Sequence, residues 1–398
     1  MNDIQFLQHL LQIDSSNPPG NEHLVTEAFI NRCKQNGLPF KVTMLDATRS
    51  NFEVTLPGKS GKQLFLCGHM DTVSPGTGEW VYSPFSGEIA NGRIYGRGAS
   101  DMKSGLAAMF LALEQLYLSN TDLPADVTFL ATAGEEVDSC GARTFLREND
   151  GRKIDALVIA EPTNEKIVVG HKGALWLEIT AYGKTSHGSM PEQGINAVDH
   201  MLKIIRVLDE MKIEWKTEKE PLGQSSLAVT MIEGGVQTNV IPDKCSIRAD
   251  IRTVPPQSHS HFINKLKSKL DVLLDQGEIY KYSIETLLDR PSILTDPAQD
   301  IIQIAQMVKG ESEADHYGVS YYTDGAVLNP RSEIPTLIYG PGDEKLAHQP
   351  NEWVSLAAYQ RSIQFYRQLI MSYGSWSRQK SVQCEGEEEI EQYSDKKS

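Results

Sequence analysis

A histidine and an aspartate stand two residues apart at His69 and Asp71. The apolar run before them, residues 63–67, predicts a short buried strand, so the pair would lie where a strand runs into a loop. An imidazole nitrogen can bind zinc, and a nearby carboxylate can hold the other ring N–H and orient the ring. Since most such pairs are ordinary loop residues, this one indicates a metal site only together with further ligands.

Further acidic residues and a histidine share this setting, because each lies in a short loop marked by Gly or Pro after an apolar segment. They are Asp101, the pair Glu135-Glu136, Glu161 and His348. The acidic residues also have ordinary alternative roles. Asp101 could cap the helix that follows it, Glu135-Glu136 could form a solvated turn, and Glu161 could lie in a plain loop. Their shared position at the ends of predicted strands, where α/β folds place their sites, favours one common site. Two histidines and three carboxylates suffice for two metal ions about 3.5–4 Å apart if one carboxylate bridges them.

These residues would be positioned by alternating strands and helices. The pattern predicts strands at 41–45, 52–56, 63–67, 127–132 and 154–160, and helices at 22–37, 104–118 and 141–148. This alternation is typical of a layered α/β sheet. Between residues 174 and 288 the order becomes β-α-β-β-α-β, the ferredoxin-like unit, which predicts a self-contained insertion.

In the order of its motifs, from about Asp3 to Gln368, the chain resembles a family of dinuclear zinc amidohydrolases. That family contains acetylornithine deacetylase, succinyl-diaminopimelate desuccinylase, aminoacylase and the glutamate carboxypeptidases (the carboxypeptidase G type). The resemblance implies a zinc-peptidase-like three-layer catalytic domain, split into residues 1–172 and 290–380. It also implies an inserted ferredoxin-like lid and dimerisation domain at 173–289. Residues 381–398, which are rich in Glu, predict a disordered acidic tail.

The resemblance implies two Zn²⁺ ions per subunit, with Co²⁺ as a possible substitute. His69 and Glu161 would bind one ion, Glu136 and His348 would bind the other, and Asp101 would bridge them.

Catalysis would use three residues that do not bind metal. Asp71 would orient His69, and Glu135 would be the general base for the water shared by the two ions. His187, in Thr185-Ser186-His187-Gly188, resembles a lid histidine that reaches the active site of the partner subunit and stabilises the oxyanion, which implies a homodimer. Without the resemblance, His187 is an ordinary histidine of a surface loop.

Substrate contacts are implied at Asn239, Arg252 and Gly340. Arg252 could grip a carboxylate with two parallel hydrogen bonds, or it could form a surface salt bridge at a strand end. Glu161 stands where related dipeptidases carry Asp, which favours hydrolysis of small N-acyl amino acids in an acetylornithine deacetylase-like or desuccinylase-like role in amino-acid biosynthesis. A metallo-carboxypeptidase or dipeptidase of the same family is the alternative. An inactive binding protein is disfavoured because no ligand or base is missing.

Composition limits the partners and the compartment. A net charge of −15, from 38 basic and 53 acidic residues, argues against nucleic acid and anionic membranes as partners. No apolar run is long enough to span a membrane, and the N-terminus lacks the basic start of a secretory signal. The five cysteines are scattered, which predicts a reducing cytoplasm and argues against a thiolate zinc site.

Overall fold

A mixed β-sheet organises the larger part of the chain in the computed structural model, which describes residues 1–312 and 315–394. The strands are β1 (Lys41–Met44), β2 (Ser50–Leu56), β3 (Gln63–His69), β4 (Glu88–Ala90), β5 (Arg93–Tyr95), β6 (Asp126–Thr132), β7 (Ala156–Ile159), β8 (Val168–His171), β9 (Gly173–Tyr182), β10 (Glu218–Lys219), β11 (Gly223–Gln224), β12 (Ser226–Gly234), β13 (Lys244–Thr253), β14 (Lys281–Arg290), β15 (Ile293–Leu294), β16 (Tyr317–Val319), β17 (Thr336–Ile338) and β18 (Trp353–Ser355). The helices are α1 (Asp3–Leu11), α2 (Glu22–Asn36), α3 (Lys103–Leu118), α4 (Cys140–Glu148), α5 (Ala197–Glu214), α6 (His259–Asp275), α7 (Asp300–Lys309), α8 (Gly325–Leu328) and α9 (Leu356–Ser394).

The chain divides into two compact units. The first consists of Met1–Val169, Thr295–Tyr317 and Thr323–Ser398, and the second of Gly170–Leu294 and Gly318–Tyr322. The insertion predicted at 173–289 therefore differs from the second unit by a few residues at each end and by one short extra segment. No helix in the described part of the chain has both the length and the apolar character needed to cross a bilayer.

The sheet of the first unit places the ends of three parallel strands side by side. Its order is β1-β2-β6-β3-β7-β17-β8, and β3 runs parallel to both β6 and β7. The register pairs His69 with Thr132 and Cys67 with Ile159. The loops that follow β3, β6 and β7 consequently leave the sheet at one edge, and the predicted metal ligands of these loops begin there.

The interior of the first unit is rich in aromatic side chains. α3 is buried along nearly its whole length, as its apolar sequence on every face predicts. Phenylalanine rings from α1, α2, α3 and the sheet pack together, with Phe29 and Phe110 at 4.9 Å between ring centroids. This packing fixes α3, which begins two residues after Asp101.

The second unit is an antiparallel sheet of four strands in the order β12-β13-β9-β14. Along the chain, its larger elements follow the order β9, α5, β12, β13, α6, β14. α5 and α6 contribute apolar side chains to one core with alternate residues of β9 and β13, among them Leu177, Ile247 and Phe262. Trp176, Arg248 and Asp250 lie on the opposite face of this sheet, which neither helix covers.

The α/β class predicted from the sequence is confirmed, with element bounds within about two residues for most of the long segments. The prediction missed a small sheet of β4, β5 and β18, whose strands are only three residues long. It also predicted disorder from residue 381, whereas α9 continues as helix through Ser394. Glutamate is a good helix former, so a Glu-rich segment can extend a helix that has already begun. Residues 395–398 of the predicted tail lie outside the described residues.

Candidate functional site

His69 is the last residue of β3, and its ring is oriented for metal binding through Nε2. Its Nδ1 lies 2.9 Å from the backbone oxygen of Asp71, which can only accept, so Nδ1 carries the proton. The remaining nitrogen, Nε2, is 3.2 Å from Asp101 Oδ1 and 3.9 Å from Glu161 Oε1. One ligand atom from each of these three residues lies within 4.8 Å of the others. This is a tight group of one nitrogen and two carboxylate oxygens.

A second group of the same composition shares Asp101. His348 Nε2 lies 3.4 Å from Asp101 Oδ2 and 3.2 Å from Glu136 Oε2, and these three residues also form a cluster within 4.8 Å. Asp101 thus presents one oxygen to each group. It does not cap α3, whose N-cap residue is Met102 with no side-chain hydrogen bond. The alternative role of Asp101 as a helix cap is therefore wrong.

Asp71 acts on the two glutamates as much as on His69. It is fully buried, and its Oδ1 accepts a hydrogen bond from the backbone N–H of Glu135 at 3.1 Å. Its Oδ2 accepts from the backbone N–H of Glu136 at 3.2 Å and from Asn17 Nδ2 at 3.1 Å. Asp71 therefore holds His69 mainly through its backbone carbonyl and positions the glutamate loop through its carboxylate.

Acidic groups are in excess in this cluster. Burial raises the pKa values of Glu135 and Glu161 well above the ordinary range, and other carboxylates of the site raise them further. Hydrogen bonds to Asp101 and Glu136 raise the pKa of His348 to about 10. Glu135 Oε1 is buried without a hydrogen-bond partner among the described residues. Carboxylates packed this closely must either bind protons or lie beside cations, and histidine and carboxylate ligands suit Zn²⁺. The residues therefore fit a pair of divalent metal ions.

Comparison with known proteins gives the family. The sequence profile of peptidase family M20/M25/M40 matches residues 65–372, which include all of the residues in both groups. The chain belongs to peptidase family M20/M25/M40. It is accordingly a hydrolase of amide bonds, as the sequence predicts.

Relatives in this family carry the names of deacylases. A probable succinyl-diaminopimelate desuccinylase of Staphylococcus epidermidis is 29% identical over 93% of this chain and 97% of its own length. The acetylornithine deacetylase of Pasteurella multocida is 30% identical over 86% of this chain and 89% of its own.

Solved structures of the M20 family share the fold. A metallo-carboxypeptidase of Sulfolobus solfataricus aligns with a TM-score of 0.77 at 20% identity, over 94% of this chain and 100% of that one. A tripeptidase of Staphylococcus aureus aligns with a TM-score of 0.72 at 22% identity, over 94% and 99%.

The substrate-binding and lid residues predicted for this M20 protein are placed as follows. His187, Asn239 and Arg252 belong to the second unit, and His187 and Asn239 are exposed. Their loops lie together, because Gly188 N donates to Asn239 O at 2.7 Å. Arg252 forms the salt bridge that was its alternative, with Nε 2.8 Å and Nη2 3.1 Å from the Asp250 carboxylate.

Gly340 lies in the first unit and packs against the backbone of the Glu161 loop. A Cβ at this position would lie 2.5 Å from the backbone oxygen of Glu161, so a side chain would displace that loop. The backbone N–H of Gly340 also donates a hydrogen bond to Thr163 Oγ1 at 3.1 Å. The structure thus gives Gly340 a packing role beside a candidate ligand.

Sequence reasoning did not single out several buried charged residues around the site. Lys103 donates from Nζ to the backbone oxygens of Leu10 and Ile13, at 3.0 and 2.8 Å, and burial lowers its pKa to about 7. Asp324 accepts a 2.6 Å hydrogen bond from Thr132 Oγ1. The others are Arg97 and Glu352. Charged residues are common at surfaces, so only burial distinguishes these, and the sequence does not report it.

Proposed function

We propose that this M20-family protein hydrolyses the amide bond of small N-acyl amino acids, with two zinc ions held by the two ligand groups. The observation that carries the proposal is the sharing of Asp101 between the groups, beside a buried glutamate oxygen that has no partner among the described residues. His69 and Glu161 would hold one ion, Glu136 and His348 the other, and Asp101 both.

Glu135 is the proposed proton carrier. Zinc held by these ligands would supply Lewis acidity, which lowers the pKa of a water molecule and polarises the amide carbonyl. Glu135 takes the proton from that water and delivers it to the leaving amine. Its backbone is fixed by Asp71, and its Oε1 is not engaged by another described group, which leaves that oxygen available for proton transfer.

Substrate recognition is assigned to Arg252 and Asn239 of the second unit, which would act as a lid, with Gly340 supporting the Glu161 loop. The guanidinium group of Arg252 can form two parallel hydrogen bonds to an α-carboxylate. Because Arg252 already forms such a pair with Asp250, a substrate carboxylate would have to share it or displace the aspartate. The names of the curated relatives, a desuccinylase and a deacetylase, support acyl amino acids as the substrate class and a role in amino-acid biosynthesis.

The second unit also supports a homodimer in which His187 serves the site of the partner subunit. β12 is an edge strand of its sheet, and Met231 and Ile232 on it are 57% and 61% exposed. An exposed apolar edge strand is a ready surface for pairing with a second copy. We propose a cytoplasmic location, which the free thiols of the four cysteines with described side chains support.

A substrate panel tests the proposed function. Zinc-loaded protein is assayed with N-acetylornithine, N-succinyl-diaminopimelate, other N-acyl amino acids and free-amine dipeptides, together with the carboxamide analogue of N-acetylornithine. Acyl amino acids are expected to be cleaved fastest, and the carboxamide poorly. Equal kcat/KM for acid and carboxamide would contradict carboxylate recognition. Faster cleavage of dipeptides, or release of C-terminal residues from peptides, would assign the protein to the dipeptidase or carboxypeptidase alternative.

A further inference from the structure

The carboxylate of Glu352 is a buried hub for the loop that carries Asp101. The Glu352 side chain is fully buried, and its Oε1 accepts hydrogen bonds from the backbone N–H groups of Ser100 at 2.7 Å and Asp101 at 2.9 Å. Its Oε2 accepts from Gly98 N at 3.1 Å. Three backbone amides within four residues thus converge on one side chain, and the last of them belongs to the shared candidate ligand.

Arg97 forms an ion pair with Glu352 and connects it to the loop that carries His348. Arg97 Nη1 lies 2.5 Å from Glu352 Oε2, and the two side chains are 2% and 0% exposed. The same guanidinium lies 3.3 Å from Gln349 O, in the residue after His348, and 3.3 Å from Ser74 O. One buried ion pair therefore contacts both the Asp101 loop and the His348 loop.

The small antiparallel sheet explains how these residues meet. β18 pairs with β5, so that Glu352, just before β18, lies opposite Gly96, just after β5, and Gly96 N donates to Glu352 O at 3.0 Å. From Gly96 onward, the chain wraps around the Glu352 carboxylate and reaches Asp101. A second link joins the same two loops, because Ser100 Oγ donates to Asp343 O and accepts from Asp343 N.

We propose that Arg97 and Glu352 form a positioning pair that sets the separation of Asp101 from His348 and so determines the affinity of the metal position these two residues share with Glu136. The proposal rests on the proposed dinuclear function. Buried ion pairs are often no more stabilising than apolar residues of similar size. A pair that also holds three backbone amides and a second loop is better explained by the geometry that it imposes.

The test compares Glu352→Gln with Glu114→Gln. Glu114 is a matched control, because its buried carboxylate also accepts the fork of an arginine, Arg32, at 2.6–2.9 Å, but it lies far along α3 from Asp101. Zinc stoichiometry and stepwise affinity are measured by calorimetry and metal analysis, with thermal unfolding alongside. Glu352→Gln turns one acceptor oxygen into an NH₂ group, which faces either the Ser100 and Asp101 amides or the Gly98 amide and the guanidinium. It is expected to weaken one zinc step by about 10- to 100-fold, as outer partners of metal ligands do.

Glu114→Gln should bind both zinc ions as the parent protein does, even if it lowers the unfolding temperature as much as Glu352→Gln does. Equal zinc binding by the two variants would overturn the positioning role. A parent protein that binds fewer than two ions would instead count against the proposed dinuclear function. If Glu352→Gln does not fold, Arg97→Lys replaces it. A lysine keeps the charge but cannot reach Glu352 and Gln349 O together, so the same zinc step should weaken.

A measurement on the unmodified protein tests the pair independently. The amide protons of Gly98, Ser100 and Asp101 should exchange slowly with solvent in full-length protein stripped of metal, because Glu352 and not the metal holds them. Fast exchange of these amides after metal removal, with slow exchange after zinc is restored, would show that the metal orders the loop and would overturn the proposal.

Discussion

Glu135 and Glu136 are adjacent in sequence but differ in their surroundings. Glu136 faces His348 at 3.2 Å, whereas Glu135 has a buried oxygen without a partner among the described residues. Chemically identical side chains can therefore have different functions when the backbone turns them in different directions. Asp71 enforces that turn by accepting a hydrogen bond from each of their backbone amides.

Glu135→Gln is expected to reduce kcat by about 10²–10⁴ while zinc binding is retained, because an amide cannot accept the proton. The matched change one residue further, Glu136→Gln, should lose zinc as well as activity. Metal analysis and kinetics on both variants check this. If Glu135→Gln loses zinc and Glu136→Gln keeps it, the two roles are reversed.

His171 gives a prediction of pH-dependent stability. Its Nδ1 donates to Lys172 O at 2.9 Å, its Nε2 is buried without a partner among the described residues, and burial lowers its pKa from 6.5 to about 4. Below pH 6.5 the unfolded chain binds a proton that the folded chain refuses. The contribution of neutral His171 to the free energy of unfolding is therefore fully present above pH 6.5 and is lost as the pH falls to about 4. At about pH 5 the free energy of unfolding is lowered by about 2 kcal/mol through this group.

Urea unfolding of the parent and of His171→Asn at about pH 7.5 and pH 5 measures this difference. The asparagine keeps a donor for Lys172 O but does not titrate, so the variant should lose less stability between the two pH values. Because the other histidines are the same in both proteins, their contributions cancel. An equal pH dependence in both proteins would mean that His171 is accessible to protons in the folded state.

At the scale of the element, the close approach of α3 to the end of β7 brings two candidate ligands together. Asp101 precedes α3, and Glu161 follows β7. Gly105, in the first turn of α3, permits this approach, since a Cβ there would lie 2.1 Å from Ala160 O and 2.8 Å from Ala160 Cβ. The start of α3 and the end of β7 can be this close only because residue 105 has no side chain.

Gly105→Ala is expected to destabilise the fold and weaken metal binding, although alanine favours a helix over glycine by about 1 kcal/mol. Overpacking of a tight site costs typically about 1–3 kcal/mol and should exceed that gain. Thermal unfolding and zinc titration check the variant. An unchanged unfolding temperature with unchanged zinc affinity would show that α3 can shift without moving Asp101.

At the scale of the whole molecule, the candidate metal ligands lie in the first unit, whereas the exposed His187 and the edge strand β12 lie in the second. In the proposed homodimer, His187 of one subunit would supply an oxyanion donor to the site of the second copy. Subunit exchange between inactive variants distinguishes a histidine that acts across the dimer from one that is merely exposed.

His187→Ala and Glu135→Ala are each expected to be inactive alone and to regain part of the activity when mixed under conditions of subunit exchange. In a mixed dimer, one site has both the glutamate and the partner's histidine. Native mass spectrometry establishes that exchange has occurred. Exchange without recovered activity would rule out the action of His187 across the interface, and a monomeric parent protein would rule out the dimer.

The sequence by itself determined the α/β class, most of the long elements and the set of residues that the first unit gathers at its sheet edge. It did so because apolar periodicity reports strands and helices, and because His69, Asp101, Glu161 and His348 stand in marked loops directly after such segments. The resemblance of these motifs to a known family supplied the expected roles. The family match then bore out the chemistry of an amide hydrolase.

Only the tertiary structure decided which residues hold that set in place. Glu352 and Arg97 are far apart in sequence and look like surface charges, yet the pairing of β5 with β18 buries them together. Likewise, Asp71 was expected to orient His69 through its carboxylate, but that carboxylate is engaged by the amides of the glutamate loop. The sequence lists donors and acceptors, whereas the pairing of strands distant in the chain decides which of them meet and which are removed from water.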